Sequence, residues 1–427
     1  MRVHRRVGSR GKVESQIALC GAHVALGPQE RRQADIFIMG KRIHRVAQSS
    51  TEIPLARSSA TVVDLHGFFL LPAFVNAHDH LQFALHPRLA DHSYRNYIEW
   101  GQDIHAKFPA VIAKLKAVPK SVRLWWGGIR NLLCGVATVC HHDPLWPELE
   151  RKDFPVRVLR NYGWAHSLAL GGNLLQSRAQ TPDGYPFILH ACEGIGEPMR
   201  RELASIDALG ILDATTVLVH GMAMEPEDVA LLRHRGTSLI LCPSSNAFLF
   251  GRLPQFDQFA PMENLALGND SPLTAEGDLL DEVRFAIARL GVSAARAYEM
   301  VTSAPARILR LENGEGSISE SHNADIVAVE DTGLSASARL ETLSAKAIEM
   351  VMVGGKINLA SKRVLERIPP AARRGLEPVE VGRVIRWVRA PVRDLVTAAE
   401  KVLGAGNLHL GSRSIRIPDS AEVHDER

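Results

Sequence analysis

The chain has 427 residues, beyond the length that one hydrophobic core usually serves, so a large barrel with an accessory domain and a pair of domains are both open. A formal net charge of +3 neither calls for nor excludes a polyanionic partner, and no nucleic-acid partner is expected. No stretch reaches transmembrane length without a charge, so no membrane partner is expected either.

The opening "MRVHRRVGSRGKVESQ" is basic but leads into no long apolar region, and it does not read as a signal peptide. Cys20, Cys134, Cys140, Cys192 and Cys242 are odd in number and far apart, which suits reduced thiols in a cytoplasmic chain better than a disulfide framework. Between residues 17 and 71 the runs "IALCGAHVAL", "ADIFIMGKRIHRVA" and "ATVVDLHGFFLLP" read as strands with tight turns. After Pro72 the pattern changes. Helical stretches such as "NYIEWGQDIHAKFPAVIAKL" and "SVRLWWGGIRNLLCG" separate the strand candidates "VATVCHHD", "VRVLRNYG", "PFILHACE", "TVLVHG", "TSLILCPSS" and "NLALGND". Such alternation predicts an α/β fold, a parallel sheet covered by helices, and this many units make a closed (β/α)8 barrel the economical choice.

Within "VNAHDHLQF", just after a proline-terminated apolar run, His78 and His80 stand two apart. On a strand both point to the same side and Asp79 faces elsewhere, so two imidazoles are offered to one ion. Two ligands do not make a site, and ordinary polar residues at a strand end are the competing reading. His190 ends "FILH", His220 ends "VLVH" and Asp270 ends "LALGND", each at the carboxyl end of an apolar strand. In a parallel barrel those ends meet at one mouth. His78, His80, His190 and Asp270 around one ion would leave a position for water, as a catalytic zinc or similar divalent ion requires; nitrogen and oxygen donors also admit iron or manganese.

With "LPAFVNAHDH", "HACEG", "VHGMAM", "CPSSN" and "GNDSPLTAEGDLLDEVRFA" in this order, nearly the whole chain resembles the amidohydrolase superfamily. The likeness is to its mononuclear branch of guanine and cytosine deaminases, methylthioadenosine and S-adenosylhomocysteine deaminases and triazine chlorohydrolases. The resemblance implies one metal bound by His78, His80, His190 and Asp270, with Glu193 as proton donor and His220 as hydrogen-bond partner of the attacking water. It also implies a distorted TIM barrel over residues 72–315 and a small β-sandwich assembled from 1–71 and 316–361. Residues 362–427 then form an extension, expected to be an amphipathic helix packed on the body. Ala73, where a glycine is usual, and Ser271 after the aspartate depart from the pattern.

This machinery suits hydrolytic deamination of a small heterocycle, a purine, pterin, pyrimidine or triazine-like ring, with ammonia released. Hydrolytic opening of an imidazolone or other cyclic amide uses the same groups, and a non-catalytic barrel acting as a binding module is the alternative from outside enzymology. Tyr94, Tyr97 and Trp100 after strand one are candidates for an aromatic wall, and His166 for a substrate contact. His141 and His142 are candidates for a substrate hydrogen bond or for support behind the ligands, not for ligation. A homodimer is compatible with the sequence.

Overall fold

The computed structural model describes residues 16–48, 60–275, 277–419 and 422, so all but the last residue of the opening read above against a signal peptide lies outside the described residues. Eight parallel strands follow one another from Phe74. The first three, Phe74–Asp79, Val136–His141 and Arg157–Val158, pair in one sheet. The other five, Gly163–Ser167, Phe187–Ala191, Thr216–His220, Ser238–Leu241 and Leu265–Leu267, pair in chain order in a second. The eighth strand returns to the first: the backbone N–H groups of Asn269 and Asp270 both donate to the His78 carbonyl at 3.0 Å.

Most of the strands are buried on both faces, and their alternation sorts side chains into two clusters. Ile188, Val217, Val219, Ile240 and Ala266 share one cluster with Val75 and Ala77 of the first strand. Their neighbours Phe187, Leu189, Leu218, Leu239 and Leu241 pack instead with helix residues such as Leu203, Leu232 and Leu280. Mostly β-branched side chains thus fill the space between strands while leucine and phenylalanine carry the helices, as a parallel sheet covered by helices requires.

The long helical stretch expected after the first strand is two helices, Tyr97–Lys107 and Pro109–Lys116, because Pro109 cannot donate to the first one. The helix Lys120–Leu133 is buried from Val122 onward. Its two glycines answer for "WWGGI": a Cβ on Gly127 would stand 2.4 Å from the Leu81 carbonyl oxygen, and one on Gly128 2.7 Å from Phe154. The fourth strand, "GWAHS", was absent from the sequence expectation, which ran "VRVLRNYG" as one strand.

Strands from both chain ends join in one twelve-stranded sheet. Ile326–Glu330 pairs antiparallel with Phe68–Pro72, and Phe68–Pro72 lies beside Gln16–Ala25. The extension departs from the expected helix alone. Val384–Val388 pairs with Lys356–Ala360 and with Glu377–Val381, continuing the sheet, and the helix Val392–Leu403 then turns Val392, Leu395, Val396, Ala399 and Leu403 inward. No helix among the described residues is long and apolar enough to cross a membrane.

Candidate metal centre and its cavity

The first strand stops at Asp79, and His80 begins a short 3-10 turn over Leu81–Phe83. The rings of His78 and His80 lie 5.0 Å apart at the same mouth. From the fifth strand His190 brings its Nε2 to 3.1 Å from that of His78. Beyond the eighth strand, Asp270 sets Oδ1 at 3.7 Å from the Nε2 of both His78 and His80. One nitrogen from each of the three histidines falls within 4.8 Å of the others. Burial lowers the pKa of His80 and His190 well below the ordinary imidazole value, with the neighbouring histidines adding to the effect. Three imidazoles facing one carboxylate fit a single divalent ion by donor type and number.

Asp270 is itself held. Its Oδ2 accepts from Ser245 Oγ at 2.7 Å and Thr274 Oγ1 at 3.1 Å, and its Oδ1 from the Ser271 backbone N–H at 2.6 Å. Burial acts to raise its pKa, but the imidazoles of His78, His220 and His80 outweigh that and hold it well below the usual carboxylate range. A glycine makes the approach possible: a Cβ on Gly268 would lie 2.6 Å from that of His78.

Glu193 and His220 face each other across the same space, with Oε2 and Nε2 3.6 Å apart. Burial, then the charges of Asp270 and Glu202, push the Glu193 carboxyl well above its ordinary range, which favours its protonated form. His220 is pushed down to about 4 by burial, against the pull of Asp270. Its Nδ1 stands 3.0 Å from Asn246 Oδ1, which leaves Nε2 toward Glu193. The strand alternation that places Val217 and Val219 inside would turn His220 outward, but its left-handed backbone (φ 81°) breaks the alternation at that residue. Cys192 (φ 54°), one residue before Glu193, and Asp270 (φ 57°) share this conformation.

Asp79 turns away from the imidazoles, as strand alternation predicts, and is fully buried. Arg130 Nη2 donates to both its oxygens at 2.8 Å and Asn131 Nδ2 to Oδ2 at 2.7 Å. The same guanidinium reaches the Asp270 carbonyl at 3.3 Å, which ties the first strand to the eighth from behind. Nothing in the one-dimensional pattern pointed to this brace.

A cavity of about 260 Å³ opens from the cluster. His80, His190, Glu193, His220 and Asp270 line one end, and Phe83, Trp100, Ile104, Ile112 and Leu273 line the other. Tyr97 and His166 line it as well. Trp100 donates its Nε1–H to the Leu89 carbonyl at 2.8 Å, and Tyr97 bonds Ser167 Oγ at 2.8 Å, so each has its polar tip engaged by protein. Tyr94 is not among the lining residues: it precedes the helix, packs against Leu249 and Phe250, and donates its hydroxyl to Asp103 Oδ2 at 2.6 Å. Phe83, Ile104, Ile112, Leu273 and the buried His86 were not anticipated; the burial of His86 and the nearby Arg123 lower its pKa to about 4.

The profile of the amidohydrolase family matches residues 166–358. A 5-methylthioadenosine/S-adenosylhomocysteine deaminase of Haloarcula marismortui is 30% identical over 146 residues, 32% of this chain and 33% of its own length. The chain thus spans about a third of the length of that curated relative. Two solved structures share the fold over most of both chains. An atrazine chlorohydrolase of Arthrobacter aurescens TC1 complexed with zinc superposes with a TM-score of 0.66 and 15% identity, over 90% of this chain and 99% of its own. For an adenosine deaminase of Xanthomonas campestris with bound zinc the TM-score is 0.62 at 18% identity, over 91% and 98%. The eight parallel strands are accordingly those of an α/β, TIM-barrel-like domain.

Proposed function

Because the chain carries an amidohydrolase-family domain, we propose that it is a metal-dependent hydrolase of carbon–nitrogen bonds that deaminates a small nitrogen heterocycle. One observation supports the reading above others: three imidazoles, an aspartate held well below the usual carboxylate range, a glutamate pushed well above it and a further imidazole converge at one end of a single apolar-walled cavity. His78, His80, His190 and Asp270 hold the ion; the groups fit zinc, with iron or manganese also accommodated. When bound, such an ion supplies a water that is acidic enough to lose a proton near neutral pH.

The chain's own groups do the rest. Asp270, kept ionised, accepts the proton of the attacking water. Glu193, in its protonated form, gives its proton to the ring nitrogen beside the attacked carbon, where it stays in the product. On collapse Glu193 recovers a proton from the hydroxyl left by the water, and the proton that Asp270 took passes to the leaving amine, which departs as ammonia. His220 holds the oxygen that develops at that carbon, its ring fixed by Asn246. Trp100, Ile104 and Ile112 offer apolar surface to the part of the ring remote from the reaction and exclude water there. His166 and Tyr97 lie at the flank of the ring.

Incubating zinc-replete protein with a panel of purines, their nucleosides, pterins, pyrimidines and triazines tests the assignment, with ammonia and product mass both measured. Deamination releases ammonia and raises the substrate mass by about one unit. A product heavier by a whole water with no ammonia means ring opening, and no change in any heterocycle removes the reading.

A further inference from the structure

His142 stands in the middle of the imidazole cluster without belonging to the ligand set. Its ring stacks on that of His190, with centroids 4.3 Å apart and planes 21° apart, and it is 2% exposed. Both of its nitrogens are engaged. Nε2 lies 2.9 Å from the Ala165 carbonyl of the fourth strand, and Nδ1 lies 3.3 Å from Nδ1 of His78. A carbonyl oxygen only accepts, so Nε2 carries the hydrogen. In the neutral ring Nδ1 is then a bare acceptor, and the only hydrogen available to bridge the two Nδ1 atoms is that of His78. It follows that His78 is protonated on Nδ1 and bare on Nε2, the nitrogen that faces His190 at 3.1 Å and Asp270 at 3.7 Å.

We propose that His142 is a positioning residue: by accepting the Nδ1–H of His78 it holds that ring in the one tautomer and orientation that presents the Nε2 lone pair to the metal. This rests on the metal-centre reading above. The relay runs from the Ala165 carbonyl through His142 to His78, so the residue that follows the second strand and the fourth strand orient a ligand on the first. Ligating histidines commonly give their second N–H to a carboxylate, carbonyl or water. Here an imidazole takes that place, with a backbone carbonyl behind it. The other nitrogen of His190, Nδ1, has no partner, so His78 differs from its neighbour in being held from behind.

Two variants and one spectrum test this. His142→Leu removes the acceptor, while His142→Asn returns an oxygen near the position of Nδ1. Zinc affinity, read by competition with a chromophoric chelator, is expected to fall roughly 10- to 100-fold in His142→Leu. Most of that loss is recovered in His142→Asn. Equal zinc affinity in wild type and His142→Leu, or an equal loss in the two variants, overturns the proposal. Nitrogen-15 spectra of the metal-free wild-type protein decide the tautomer even where a variant fails to fold: an Nδ1-protonated His78 supports the relay, and an Nε2-protonated His78 ends it. Wild-type protein that takes up no zinc while showing the Nδ1–H tautomer of His78 refutes the metal centre and leaves the hydrogen bond standing, so the two ideas fail separately.

Discussion

The two ends of the cavity are built on opposite plans. At the strand mouth nearly every polar group is gripped by another: Asp270 by Ser245, Thr274 and Ser271, His220 by Asn246, and His78 by His142. At the far end Trp100, Ile104, Ile112 and Leu273 present apolar surface from the loop and helices after the first strand and from the segment after Asp270. Hydrogen bonds fix direction and apolar contact does not, so the first end is suited to placing reacting atoms and the second to measuring the size of what enters. Substitutions at the first end should therefore act on turnover or on metal, and those at the second on substrate affinity.

The largest expected effect is at the proton donor. Glu193→Gln keeps the shape of the side chain and removes its proton, so turnover should fall by roughly 10²- to 10⁴-fold while zinc content is unchanged. Steady-state rates beside elemental analysis check this, and unchanged turnover would detach Glu193 from the chemistry. Behind the same strand, Glu202 accepts from the Cys192 backbone N–H, and burial raises its pKa to about 7 from 4.5. A group raised in the folded state contributes stability that is fully present below its unfolded value and lost as pH rises through the folded one. Stability should thus decline between about pH 4.5 and 7, on the order of 3 kcal/mol for this group. Urea titrations across that range test the sign, and Glu202→Gln should flatten the slope.

Effects shrink toward the apolar end. Trp100→Ala should raise KM about tenfold and leave kcat within a few-fold, because a wall that contacts ground state and transition state alike contributes uniform binding. A large fall in kcat instead would blur the division between the two ends. Tyr94→Phe should change neither constant more than about twofold, since its hydroxyl bonds Asp103 outside the cavity. A strong effect there would return Tyr94 to the substrate wall.

What the sequence made legible follows the same division. Strand geometry is local, so a histidine two residues from another, or an aspartate closing an apolar run, announces where it will stand once the sheet is parallel. His78, His80 and His190 are of this kind; His220 and Asp270 also close apolar runs, but the left-handed backbone at each is not announced by strand alternation. The aromatic wall was harder, because whether Tyr94 or Phe83 faces the cavity depends on how the helix Tyr97–Lys107 sits on its neighbours, which its spacing does not state. The Asp79–Arg130 brace and the His142 relay join residues 51 and 64 apart in the chain and exist only as contacts between elements. "GWAHS" was missed because it is short and has few apolar residues. Val384–Val388 was absorbed into the expected helix because a Val/Ile/Trp run with one arginine suits either state until a partner strand is known.

The left-handed backbone at Cys192, His220 and Asp270 gives the molecule an optimum it does not occupy. Each such non-glycine residue carries on the order of 1–3 kcal/mol of strain that a glycine would relieve. An engineer screening this chain for heat resistance alone would be drawn toward glycine at these three positions. Two of those changes would erase an imidazole and a carboxylate from the cavity, and the third would slacken the turn that aims Glu193. Thermal selection without an activity screen should therefore drift toward robust barrels with an empty mouth.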